Sequence, residues 1–256
     1  MDIVPELDSA SLLKLTSFLF WSCLYLLSYA RQPDKCPEYH SRVVTLLHGS
    51  VSSVVGLAQC GLGCSKCLTP VLPQHYALMV WSWGYFAFDS LWCLMYWNQG
   101  PLMLAHHFST LLAITIYMHR NGTGCSFSCT MAFMEITNPS LQIRWFLKSE
   151  GYGRTTLFYI IDILYLSSFL LIRGVLGTYI LYKIIPVKIF GMDQKMIAIS
   201  LYIISIGLMR ELISYISYKY KDRAIRITLL IGENRMKIRS VVLRVPYPKG
   251  KTGPYY

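Results

Sequence analysis

Residues 156–182 read TLFYIIDILYLSSFLLIRGVLGTYILY. Across these 27 residues only Asp162 and Arg173 belong to the strongly charged types. As a helix rising 1.5 Å per residue, the stretch covers about 40 Å, more than the roughly 30 Å hydrocarbon core of a bilayer. Six further apolar stretches flank it, at about 11–30, 42–62, 75–97, 102–119, 125–146 and 196–218. Breakers lie between them: Gln32-Pro33, Pro70 and Pro73, Gly100-Pro101, Gly151 and Gly153, Pro186 and Gly191. The first stretch is no secretory signal, because its leader carries Asp2, Glu6 and Asp8 in place of a positive segment.

Composition agrees with that reading. Apolar residues make up 54% of the 256 and charged residues 14%, with a mean hydropathy of +0.41. A soluble domain carries about 25% charge, so this chain lacks the polar surface to cover a water-soluble core. The same figures exclude intrinsic disorder, a collagen-like chain and a disulfide-stapled mini-protein. The expected fold is an all-α, polytopic membrane bundle of about seven transmembrane helices. It divides into a lumenal N-terminal segment with the first helix (1–30), a membrane domain (31–220) and a basic tail (221–256).

Net charge of +11 does not imply nucleic acid, because of where it sits. Ten Lys and Arg residues follow the seventh stretch, from Lys219 to Lys251, against Asp222 and Glu233. The positive-inside rule puts that tail in the cytosol, and seven spans then put the N-terminus in the lumen. The shorter loops tie in Lys and Arg, so orientation rests on the tail. The sequon Asn121-Gly122-Thr123 falls in a loop that this topology makes lumenal, which marks Asn121 as a glycosylation candidate. Within the tail, 224–231 and 235–245 alternate partly between apolar and basic residues around Gly232-Glu233-Asn234. A hairpin and a disordered segment held near anionic lipid both stay open.

An ionisable group at membrane depth is costly and usually faces a protein interior or a watery cavity. His48, Asp89, His106, His107, Glu135, Asn138, Asp162, Arg173, Arg210 and Glu211 are such groups. Counted from the loop ends, most lie in the cytosolic half, and Arg173 alone falls clearly in the lumenal half. We therefore expect a polar chamber open to the cytosol, gathering His48, Asp89, His106, His107, Glu135 and Asn138. Its apolar walls would come from residues such as Phe108, Leu111 and Phe133. Glu135, Asn138 and Gln142 share a helical face by spacing, and Thr110 stands four residues after His106, where its hydroxyl can fix a ring nitrogen. Pro139 should bend the fifth helix. Adjacent imidazoles suit general-base or nucleophile chemistry, with Asp89 and Glu135 either orienting them or balancing Arg210. The bland alternative is a set of interhelical hydrogen bonds.

Cys60, Cys64 and Cys67 are too irregularly spaced for a zinc site. On the lumenal side a disulfide suits them better, with Cys64 or Cys67 reaching Cys125. The sequence has no Gly-rich nucleotide loop, GxSxG elbow or metal-ligand motif, so neither a metal nor a bound cofactor is expected.

From Asp89 through WNQGPLMLAHHFSTLLA to FMEITNPSLQIRWFL, the chain resembles the TLC domain, most closely that of the small TLC-domain-containing proteins. The resemblance covers roughly residues 31–220. Ceramide synthases of this superfamily join a fatty acyl-CoA to a sphingoid amine. Their double histidine matches His106-His107, and their acidic helix places its first Asp at Glu135 and its second at Asn138. Met134 stands where they carry a further histidine. The resemblance implies a role in lipid metabolism or membrane lipid composition, with residence in the endoplasmic reticulum. If the chain is an enzyme, the resemblance implies acyl transfer with acyl-CoA as co-substrate. His106, His107, Glu135 and Asp89 would then be catalytic, while His48, Asn138, Thr110 and Arg210 contact lipid. The altered acidic helix points away from ceramide synthesis itself. A non-catalytic lipid regulator or cargo handler is the alternative.

Overall fold

The computed structural model describes residues 4–60, 71–96, 100–120 and 122–242; for 4–8 and 219–242 it describes the backbone alone. The described residues are helical and contain no strand. They form α1 (Val4–Arg31), α2 (Pro37–Cys60), α3 (Pro73–Tyr96), α4 (Gly100–Met118), α5 (Gly124–Glu135), α6 (Asn138–Ser149), α7 (Thr156–Phe169), α8 (Gly177–Ile184) and α9 (Met192–Val242). A π-helical stretch, Leu170–Leu176, joins α7 to α8. Each of the seven apolar stretches falls on one helical column, with α5–α6 and α7–α8 counting as one each. Among the described residues, five segments are long and apolar enough to cross a membrane: Ser9–Arg31, Pro37–Cys60, Gly100–Met118, Thr156–Ile184 and Met192–Tyr218. The chain is an all-α integral membrane protein.

Burial runs opposite to that of a soluble bundle. His40, His48, Ser52, Ser82, Asp89, Gln142, Asp162 and Arg173 are buried, while Ile160, Ile163, Leu164, Leu171 and Val175 are exposed. Lipid tails solvate the outward leucines and isoleucines, so the interior can be given to polar contacts and aromatic packing. Trp21 of α1 is fully buried and donates its indole N–H to the Trp81 carbonyl of α3 at 3.0 Å. Glycines let backbones approach. A Cβ on Gly56 of α2 would stand 2.8 Å from the Ser128 carbonyl oxygen and 2.9 Å from Ala132 Cβ of α5.

Pro139 interrupts the helix, and the two residues between the halves, Ile136 and Thr137, keep right-handed helical angles. Pro139 has no N–H for the Glu135 carbonyl, so α5 stops at Glu135 and α6 starts at Asn138. Glu135, Asn138 and Gln142 nonetheless all face α2, Glu135 at His48 and Asn138 at Gly49. Gln142 turns to α2, where it accepts a hydrogen bond from Arg42 Nη1 at 2.9 Å. The α6–α7 turn is clamped by an ion pair between Arg144 and Asp162. At the same end, Lys35 Nζ meets Glu150 Oε1 at 2.5 Å, and this hydrogen bond holds the lysine above its usual pKa.

A disulfide joins Cys60, the last residue of α2, to Cys129 of α5. The expected partners Cys64 and Cys67 lie outside the described residues, as does Asn121; Cys125 Sγ stands 4.0 Å from Cys129 Sγ. The tail does not form a hairpin or a disordered segment up to Val242, because α9 continues that far. Gly232 is the single strong breaker between Lys219 and Val242, and one glycine in a helix costs only about 1 kcal/mol. Residues 1–210 form one compact unit and 211–256 a second.

Candidate functional site

His106 and His107 occupy the second turn of α4. Successive helical residues point about 100° apart, so the two rings meet different partners although their centroids lie 5.7 Å apart. His107 turns to α3, where its Nδ1 lies 3.0 Å from Asp89 Oδ2. His106 turns the other way, and its Nδ1 is covered without a hydrogen-bond partner. Thr110 does not fix that ring, because its hydroxyl donates to the His106 backbone carbonyl at 2.8 Å.

His48 is fully buried on α2. Its ring stacks on Tyr85 with centroids 3.8 Å apart and planes 6° from parallel. Nε2 sits between the hydroxyls of Ser52 at 3.1 Å and Ser82 at 3.3 Å, and Nδ1 faces Glu135 Oε2 at 3.6 Å. That carboxylate oxygen also accepts from Asn138 Nδ2 at 2.6 Å. Gly49 makes room for this corner, since a Cβ there would stand 2.8 Å from Asn138 Cβ.

Arg173 is the group that the expected chamber left out. It is 7% exposed and sits in the π-helical stretch, a local widening often found at functional sites. Its Nη2 donates to the Met134 carbonyl at 3.2 Å and its Nη1 to Ser205 Oγ at 3.5 Å, while Nε has no partner. The guanidinium of Arg173 therefore reaches the end of α5.

These contacts frame a cavity of about 140 Å³ between α4, α5, α8 and the first turns of α9. His106, Thr110, Glu135, Arg173 and Ser205 give it one polar end. The other end is lined by Tyr117, Phe127, Ile184 and Ile197. At 1.5 Å per residue, the paths from His106 to Tyr117 and from Glu135 to Phe127 make it roughly 12–17 Å long. The cavity runs along the helix axes.

The expected chamber thus gathers only in part. His106, Thr110 and Glu135 line the cavity, and His48 and Asn138 stand behind Glu135 as its supports. Asp89 and His107 form a separate pair across Phe86, whose ring lies 5.8 Å from His107 and also lines the cavity. Arg210 is exposed and absent from the lining, so it balances neither acid. Phe108, at 46% exposure, faces outward, and neither Leu111 nor Phe133 reaches the lining. An apolar slot ending in an imidazole, a carboxylate and a guanidinium can hold an acyl chain and polarise the carbonyl at its head.

The TLC domain family model matches residues 38–219. No solved structure matches the chain.

Proposed function

The chain belongs to the TLC domain family, a membrane family linked to lipid metabolism, and from that premise we propose that it transfers an acyl group from acyl-CoA to a lipid amine or hydroxyl. One observation carries this reading: His106, Glu135 and Arg173 meet at the polar end of an otherwise apolar, elongated cavity. The acyl chain lies in the slot with its thioester carbonyl at that end. His106 takes the proton of the acceptor while the acceptor's nitrogen or oxygen bonds to the acyl carbon. The carbon–sulfur bond breaks, and the departing coenzyme A sulfur takes the proton back from the imidazolium. With Nδ1 covered, Nε2 is the nitrogen left to do this. Arg173 faces the charge that develops on the carbonyl oxygen. Glu135, anchored by Asn138 and His48, supplies the opposing charge. The proposed residence is the endoplasmic reticulum. The Cys60–Cys129 disulfide suits its oxidising lumen, and the basic tail suits the cytosolic face.

A second reading has its own support. Met134 and Asn138 stand where ceramide synthases carry histidine and aspartate, which favours a bundle that holds lipid without reacting it. The deciding experiment incubates the purified full chain with labelled acyl-CoA and a mixed panel of lipid acceptors. A product that vanishes in His106→Ala establishes transfer. Lipid bound in native mass spectra, with no product across the panel, establishes the holding role.

A further inference from the structure

We propose that Asp89, Cys93 and His107 form a binding site for a zinc-class divalent cation that pins α3 to α4. Asp89 and Cys93 stand one turn apart on α3, and His107 reaches across from the second turn of α4. Their ligating atoms all lie within 4.8 Å of one another. All three are buried, at 3%, 4% and 8% exposure. None of them lines the cavity, so the site is distinct from the acyl-transfer machinery and does not depend on it.

Three further observations point to a cation. His107 Nδ1 and Asp89 Oδ2 approach to 3.0 Å, yet Nδ1 makes no aligned hydrogen bond, an arrangement expected of two lone pairs directed at one point between them. Asp89 is a carboxylate inside a membrane bundle with no Lys or Arg at ion-pair distance among the described residues. Such a group needs a compensating positive charge, and a divalent ion supplies it. The donors are also the right kind. A thiolate, an imidazole and a carboxylate suit zinc, whereas magnesium and calcium prefer oxygen alone. Zinc bonds of about 2.0–2.3 Å require the cluster to tighten by about an ångström, which side-chain torsions provide. Three protein ligands leave a fourth position for water or another donor.

The spacing Asp89-x3-Cys93-x13-His107 follows no familiar zinc motif, because the third ligand arrives through helix packing. A metal here would also fix the roll of α4, and with it the direction of His106.

The test uses the full chain in detergent. Metal analysis of protein purified without chelator should find about one zinc per chain, falling about tenfold in Cys93→Ala. After chelation, cobalt(II) added to the wild type should give a thiolate-to-cobalt charge-transfer band with tetrahedral d–d absorption. Asp89→Asn should shift that spectrum even if His107→Ala proves too unstable to purify, and Cys36→Ser should leave it unchanged. A wild-type chain with neither zinc nor the cobalt band overturns the proposal. So does zinc that persists in Cys93→Ala.

Discussion

His106 and His107 are adjacent in the chain yet meet different partners: one lines the cavity, and the other meets Asp89 of α3 at 3.0 Å. Substituting them should therefore give different phenotypes. His106→Ala should lower acyl transfer by about 10²-fold or more, as expected for loss of a general base, with little change in thermal unfolding. His107→Ala should lower the unfolding temperature, because it strands a buried carboxylate. Turnover and melting curves on the same preparations separate the two.

Arg173 bridges Met134 of α5 and Ser205 of α9 from a single side chain. Lysine has one ammonium and cannot reproduce a planar fork. Arg173→Lys should therefore behave almost like Arg173→Met in native mass spectra, with less lipid retained than in the wild type. Retention unchanged in both variants would remove Arg173 from the binding site.

Gly56 faces Ser128 and Ala132 across the α2–α5 contact with no room for a side chain. Gly56→Ala should force the two backbones apart and cost about 1–3 kcal/mol. Gly153, whose nearest neighbour to an added Cβ is 3.7 Å away, should tolerate alanine far better. Paired unfolding measurements check the contrast.

The Cys60–Cys129 disulfide joins positions 69 residues apart. Cys129→Ala should lose about 2–4 kcal/mol, and the wild type should lose a similar amount under reductant. The same end of the bundle should be lumenal. In sealed microsomes, a C-terminal tag should be digested by added protease and an N-terminal tag protected.

Local chemistry was legible in the sequence, and cross-helix register was not. Seven spans could be marked because lipid demands about 20 apolar residues for each. His106, Thr110 and Glu135 stood out because polar groups are rare at that depth. Arg173 was left out of the expected chamber because residue counting gives the depth of its backbone, and not where its long side chain reaches, which is the Met134 carbonyl. The pairing of His48 with Glu135 and the placing of His107 beside Asp89 and Cys93 depend on how α2, α3, α4 and α5 pack, which no spacing encodes. The basic tail misled because apolar and cationic residues alternate there with period two, while the backbone stays helical.

The cavity's long axis follows the helices, so a chain lying in it has the same orientation as the chains of the surrounding leaflet. On the proposed function, a lipid enters in the orientation it already has in the leaflet, without turning over. The quantity that governs occupancy is therefore the mole fraction of that lipid in the membrane, not its concentration in solution. Diluting the membrane with inert detergent or lipid at constant protein should empty the site, whereas diluting the aqueous phase should leave it filled.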